Sequence, residues 1–235
     1  MTYYLLPKTN IFSFMYIDFI DDMEQPTNII SYSQTHYVYE LKERIELMEK
    51  DWDIFKKYTN PYEYIHTNIP LQNYCVASYN PLSRSYFKMV EILHTFKLHD
   101  MPRDIRSFHL AEGPGGFIEA LCNIRKNPRD MYYGMTIASD LNDPNVPGWK
   151  KTKNFLQQNK NIYLEYGSDN SGDILNIDNF VYVCEKYGSS MDIVTGDGGF
   201  DFSGDFNLQE ANISKLLFAQ VAFGLCLQKK GGSFI

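Results

Sequence analysis

The sequence lacks what several large protein classes require. No stretch is both long and uncharged enough to cross a bilayer. The opening "MTYYLLPKTNIFSFMYIDF" has neither a basic leader, a continuous apolar core nor a small-residue cleavage site, so a soluble, intracellular protein of the cytoplasm with no membrane partner is expected. Its four cysteines, Cys75, Cys122, Cys184 and Cys226, lie more than forty residues apart, with no C-x-x-C pair and no histidine at zinc-finger spacing. Neither a disulfide framework nor a metal site is therefore expected, and the cysteines read as belonging to a reducing compartment. Repeats, low-complexity tracts and Gly/Ser linkers are also missing, which makes one domain with a small appended segment the default.

What is present is a 235-residue chain, 44% hydrophobic and 15% aromatic, long enough for one sizeable α/β core. The net charge of −7 argues by its sum against a nucleic-acid partner, but its distribution is uneven. Only residues 71–130 carry more basic than acidic side chains: Arg84, Lys88, Lys97, Arg103, Arg106, Arg125, Lys126 and Arg129 against six acids. Ordinary solvated surface and a phosphate track fit this window equally well.

Residues 1–36 show little periodicity and read as an irregular arm. A charged helical pattern follows from Tyr37 to Tyr58, and a second in "PLSRSYFKMVEILHTFKL", with Arg84 and Lys88 one turn apart off its apolar stripe. From there strand and helix alternate. Strands are expected at 106–112, 131–137, 161–166 and 191–197, with a fifth in "GGSFI". Helices are expected in "GFIEALCNIRK", in "NIDNFVYVCEKYG" and from Leu208 to Gln228, the last opened by a capping box of Asn207 and Glu210. This alternation predicts a Rossmann-like, doubly wound, mostly parallel sheet, whose ligands sit beyond the C-terminal ends of the central strands.

Two loops on that rim carry unusual residues. In "HLAEGPGGF" a dinucleotide fingerprint fails, because the third glycine position is Ile118, and a Walker loop fails for want of G-K-[ST]. What remains is an acid ending a strand, Glu112, and a close turn, Gly113 to Gly116, opening a helix N-terminus. A helix N-terminus suits an anion and a carboxylate suits an ammonium, so together they suit a zwitterion such as the methionine part of S-adenosylmethionine. A plain strand-to-helix turn is the competing reading. In "TGDGGFDFSGDFNLQE", Asp197 follows an apolar strand between small residues, which puts its carboxylate on the rim; Asp201 and Asp205 read as surface acids.

The blocks "SRSYFKM", "AEGPGGFIEAL", "YGMTI", "SGDILN", "TGDGGFDFSGDFNLQE" and "LQKKGGSFI", in this order, resemble the FtsJ-like (RrmJ) ribose 2′-O-methyltransferases, most closely the cap-type branch found in eukaryotes and large DNA viruses. The resemblance runs from about Ser83 to Ile235, so residues 1–80 read as an arm with a helical extension and 81–235 as the methyltransferase domain. It implies a catalytic Lys88 and Asp197, a cofactor loop formed by Glu112, Gly113, Pro114, Gly115, Gly116 and Phe117, and an adenine contact by Asp173. Asp140 stands nearest to the ribose contact, although "ASDLNDPNVPGW" departs from the family pattern. The implied cofactor is S-adenosyl-L-methionine, with no metal, and the implied partner is RNA: capped mRNA for the cap branch, ribosomal RNA for the bacterial one. A viral source would move the location to host cytoplasm or virion.

The family's central lysine, its proton acceptor, lies two positions beyond "GGSFI", past Ile235. The expectation is therefore an N-terminal portion of a longer protein, without the last antiparallel strands of the fold and with an uncovered edge strand. A neighbouring cation lowers a lysine's pKa and a carboxylate raises it while orienting the amine, roles that fall to Lys88 and Asp197 respectively. The eighteen tyrosines offer stacking surfaces for a cap or bases, although in a fold of this size most serve packing. A catalytically inactive relative acting as an RNA-binding or scaffold subunit is the alternative. A nicotinamide-dependent oxidoreductase is disfavoured by the missing glycine.

Overall fold

The computed structural model describes residues 31–101, 103–138, 148–199 and 209–235. The chain divides into two compact units, Met1–Glu63 and Tyr64–Ile235. In the first, α1 (Tyr32–Glu46) is capped by Ser31, whose hydroxyl accepts from the Gln34 N–H, and α2 (Trp52–Thr59) follows. The single helix expected from Tyr37 to Tyr58 is thus two. Met48 N–H bonds to the Ile45 carbonyl and Asp51 N–H to the Met48 carbonyl, tightening the chain into a 3-10 turn at Glu49–Asp51. No glycine or proline marks the break, so the charge pattern reads straight through it.

The second unit runs α3 (Ser85–Thr95), β1 (Arg106–Leu110), α4 (Gly116–Arg125), β2 (Met131–Met135), α5 (Lys153–Gln158), β3 (Ile162–Glu165), α6 (Ile177–Tyr187), β4 (Met191–Gly196), α7 (Gln209–Leu227) and β5 (Gln228–Phe234). The five strands are parallel, in the order β3-β2-β1-β4-β5. The chain winds outward from β1 to β3 and then returns to lay β4 on the other side of β1. This makes the gap beyond β1 and β4 the switch point. The expected parallel sheet and its five strands are therefore observed; the six-residue α5 was not anticipated.

Alternation along the strands sorts the core into two layers. Phe108, Leu110, Tyr133, Met135 and Val194 pack with Val183 and Tyr187 of α6 and Phe223 and Leu227 of α7. Tyr132 and Ile193 face the other way and pack with Met89 and Leu93 of α3 and Phe117, Ile118 and Leu121 of α4. The first layer also brings together Cys184 of α6 and Cys226 of α7, which are joined by a disulfide with their Cα atoms 6.0 Å apart. This corrects the expectation of unpaired cysteines. The pairing follows from helix packing, marked by the Phe180–Phe223 ring contact at 5.0 Å, and not from any local spacing.

Part of the basic window is engaged by acids of the fold. Arg103 pairs with Asp192 at 2.8 Å, Arg125 with Asp130 at 2.6 Å and Arg129 with Asp104 at 3.3 Å. The buried Asp130 also accepts from the Ile105 N–H and the Tyr132 hydroxyl. Burial works against its charge, but Arg125 and these donors outweigh burial and hold the carboxyl below its ordinary 3.8. Because its folded pKa is depressed, Asp130 contributes stability above that ordinary value and loses the contribution as pH falls through the folded one. Asp130→Ala leaves the buried Arg125 with only the His99, Met101 and Arg103 carbonyls and no carboxylate, and is expected to cost about 3–5 kcal/mol at neutral pH. Urea denaturation of both proteins across the acid range should show this cost shrinking as pH falls.

Candidate active site

β1 ends at Leu110, two residues earlier than expected, because Ala111 adopts a left-handed conformation at φ 51°. The turn brings Glu112 beneath the glycine loop. Its N–H still bonds to the Met135 carbonyl, and its Oε1 accepts from Phe117 N–H at 2.8 Å and Ile118 N–H at 3.1 Å. The first-turn amides expected to receive a ligand's anion are thus taken by Glu112 itself, a correction that leaves its Oε2 without a partner among the described residues. Burial pushes the Glu112 carboxyl up to about 8, against the pull of these two amides.

The loop joins helix to strand without slack. Gly113–Pro114 is a cis peptide, and Gly115 sits at φ 109°, which favours glycine. At Gly116 an added Cβ would lie 2.3 Å from both Ser83 Oγ and Ser85 Oγ, so only glycine admits the start of α3 here. Glu119 of α4 fixes the approach to that helix: it accepts from the Tyr79 hydroxyl at 2.7 Å and the Leu82 N–H at 2.8 Å. These contacts set the height of Lys88 on α3.

Lys88 Nζ donates to Asp197 at 2.7 Å and 2.6 Å, to Oδ1 and Oδ2. The structure therefore unites the two residues singled out as catalytic, one from α3 and one just past β4. Between Asp197 and the glycine loop lies a hollow of about 210 Å³, bounded by Ser83–Ser85, Ala111–Pro114, Phe117 and Asp197. Phe117 serves both as wall and as core, being buried against α3. Arg84, Ser83 and Ser85 are wall residues for which no role was read from sequence, and their helix-start pattern was the only signal available.

Asp173 lies past β3, its Oδ1 accepting from Leu175 N–H at 2.8 Å. The adjoining Ser171 carbonyl takes the Ala138 N–H just beyond β2, so this loop reaches the same rim. Asp140, Asp201, Asp205 and Asn207 lie outside the described residues. A larger cavity of about 510 Å³ opens at the opposite end of the sheet, but three of its asparagine amides are spent on the protein. Asn161 Nδ2 donates to the Asp130 carbonyl, Asn159 Nδ2 to the Phe155 carbonyl and Asn127 Nδ2 to Asp104 and Asp130.

A parallel doubly wound sheet with a Lys–Asp pair and a glycine loop at its switch point defines a Rossmann-like α/β fold with a candidate ligand site on that rim. Residues 81–235 match the FtsJ-like methyltransferase family, and the chain belongs to it. Over 165 residues it is 33% identical to the cap-specific mRNA (nucleoside-2′-O-)-methyltransferase 2 of Danio rerio, covering 65% of this chain and 22% of that protein. It is 27% identical over 178 residues to cap-specific mRNA (nucleoside-2′-O-)-methyltransferase 1 of Xenopus laevis, covering 66% and 20%. Over 174 residues it is 27% identical to the African swine fever virus methyltransferase EP424R, covering 66% and 38%. The chain spans well under half the length of each of these relatives.

Glu112 yields a test by pH. Its folded pKa of about 8 stands above the ordinary 4.5, so its contribution is fully present below 4.5 and is lost as pH rises through 8. Glu112→Gln keeps an oxygen for the two amides and removes the charge. Thermal melts are expected to show the variant gaining on the parent chain between those pH values, with no gain below them.

Proposed function

We propose that the chain is the cofactor-binding and substrate-aligning part of an RNA ribose 2′-O-methyltransferase acting on the first transcribed nucleotides of capped mRNA. The observation that carries this reading is the Lys88–Asp197 pair beside the hollow at the switch point. The names of the relatives supply the capped substrate. Residues 81–235 act as the methyltransferase domain and 1–80 as its extension, working in the cytoplasm on RNA.

The hollow fits one end of S-adenosylmethionine. Whole-ligand pockets run to roughly 300–1,000 Å³, so about 210 Å³ suits the amino-acid end with the nucleoside along the rim. Glu112 Oε2 is placed to take an ammonium, while Arg84 and the hydroxyls of Ser83 and Ser85 wall the same space and suit a carboxylate. The remaining oxygen of Asp173 is the acceptor for an adenine amine, and Asp140 stays the candidate for the ribose. When bound, the cofactor supplies a methyl group already activated by a sulfonium.

This chain's own residues then orient the acceptor and tune the base that takes its proton. Asp197 fixes the Lys88 ammonium where the incoming ribose oxygen is to lie, and in return Lys88 keeps the carboxylate from turning away. The proton of the 2′-hydroxyl passes to the lysine that the family places two positions past Ile235. That amine is a base only when neutral, a state the charge on Lys88 favours.

Calorimetry with S-adenosylmethionine, followed by methyl transfer to capped and uncapped RNA, tests the reading. The 235-residue chain is expected to bind the cofactor weakly and transfer little, and a form extended past Ile235 to methylate capped RNA at ribose. Robust transfer by the 235-residue chain would overturn the placement of the base, and cofactor binding without transfer by either form would leave a binding subunit instead. In the extended form, Asp197→Ala is expected to lower transfer by about a hundredfold while cofactor affinity holds. Full turnover in that variant would refute its role.

A further inference from the structure

We infer that Gln220, on α7, is a positioning residue that holds the Lys88–Asp197 pair in register. The inference rests on the function proposed above for its catalytic consequence, but not for its geometry. Among the described residues Asp197 has one partner, Lys88, and both side chains stand about half exposed. Among the described residues no side chain fixes the carboxylate from behind, so the backbone of the turn after β4 is what sets its position.

Gln220 grips that turn. It is 2% exposed, on the stretch of α7 that also buries Leu216, Phe223 and Leu227. A buried amide left unpaired forfeits its hydrogen bonds to water with nothing in return, so a glutamine at such a position needs partners. Its Oε1 accepts from Gly198 N–H at 2.9 Å, and its Nε2 donates to the Gly198 carbonyl at 3.5 Å and the Leu216 carbonyl at 3.3 Å. One planar group thus holds both polar atoms of the residue that follows Asp197.

The glycines on either side of Asp197 are the counterpart of this grip. A Cβ at Gly196 would lie 2.7 Å from Gln220 Oε1, and one at Gly198 would lie 2.8 Å from the Cβ of Ala111. The turn is therefore pressed between α7 and the residue that bends the chain into the glycine loop. Through this contact Gln220 links the two loops of the site, and the bare pattern G-D-G at 196–198 is its trace in the sequence.

The test uses Gln220→Leu, which fills similar volume without polar atoms, and Gln220→Glu. Protonated glutamic acid offers one acceptor and one O–H donor and so reproduces the two bonds to Gly198, though not the one to the Leu216 carbonyl; ionised, it loses the donor to the Gly198 carbonyl, and burial raises the pH at which that happens. Relative to the parent protein in its transfer-competent form, Gln220→Leu is expected to lose about tenfold in turnover with cofactor affinity unchanged, the scale of losing a supporting hydrogen bond. Gln220→Glu is expected to approach parent turnover at low pH and fall away from it as pH rises.

Two readouts on the 235-residue chain do not depend on methyl transfer. Hydrogen exchange at the Gly198 amide should accelerate in Gln220→Leu while β4 amides hold, and amine-reactive labelling of Lys88, read by mass spectrometry, should accelerate with it. If the parent protein transfers no methyl group, the proposed function fails while these two readouts still decide the positioning role. Unchanged Gly198 exchange and Lys88 labelling in a variant shown folded by its melting curve would overturn the inference, as would parent turnover in Gln220→Leu.

Discussion

The contact between Lys88 and Asp197 joins residues 109 positions apart, and the rest of the structure can be understood as what brings them within 2.7 Å. One partner rides on α3, the other on the turn past β4. The register that sets His109 opposite Thr195 and Leu110 opposite Gly196 fixes where that turn starts. Glu119 and Gly116 fix where α3 starts. Small shifts in any of these would separate the pair, because a lysine and an aspartate on different elements have no local constraint in common.

The pair itself contributes little to stability. Its side chains are 54% and 44% exposed, and ion pairs this open to water are worth roughly 0–1 kcal/mol. Stability resides in the two apolar layers and in buried acids near the strands: Asp130 with Arg125, Asp192 with Arg103 and Lys229, and Glu165 with Lys186 and Tyr187. Two of these engage cations of the basic window, Arg103 and Arg125. Glu112 differs from them. It is buried without a cationic partner among the described residues, and burial pushes its carboxyl up to about 8, so its charge near neutrality is open to a cation entering the hollow.

This division of labour explains the tension in the rim. Ala111 accepts a left-handed backbone, and Gly196 and Gly198 forgo side chains so that two loops can meet. Each is a local concession where the sheet's switch point opens, while the strands beneath keep regular parallel pairing. The hollow is thus assembled from segments that are individually unremarkable turns.

Local pattern was enough for much of this protein. Alternating apolar strands, helices of period 3.6 and the glycine-rich turn determined a parallel sheet with its rim loops, because those signals arise from each segment's own backbone and its one buried face. They also singled out Lys88 and Asp197 through blocks whose order resembles a family. Tertiary structure alone decided which charges face which. It paired Cys184 with Cys226, matched Arg103, Arg125 and Arg129 to acids distant in sequence or across a turn, gave the first amides of α4 to Glu112 and set Gln220 behind Asp197. Such contacts join residues with no sequence relation to one another, so they exist only once the sheet has brought the helices and loops together.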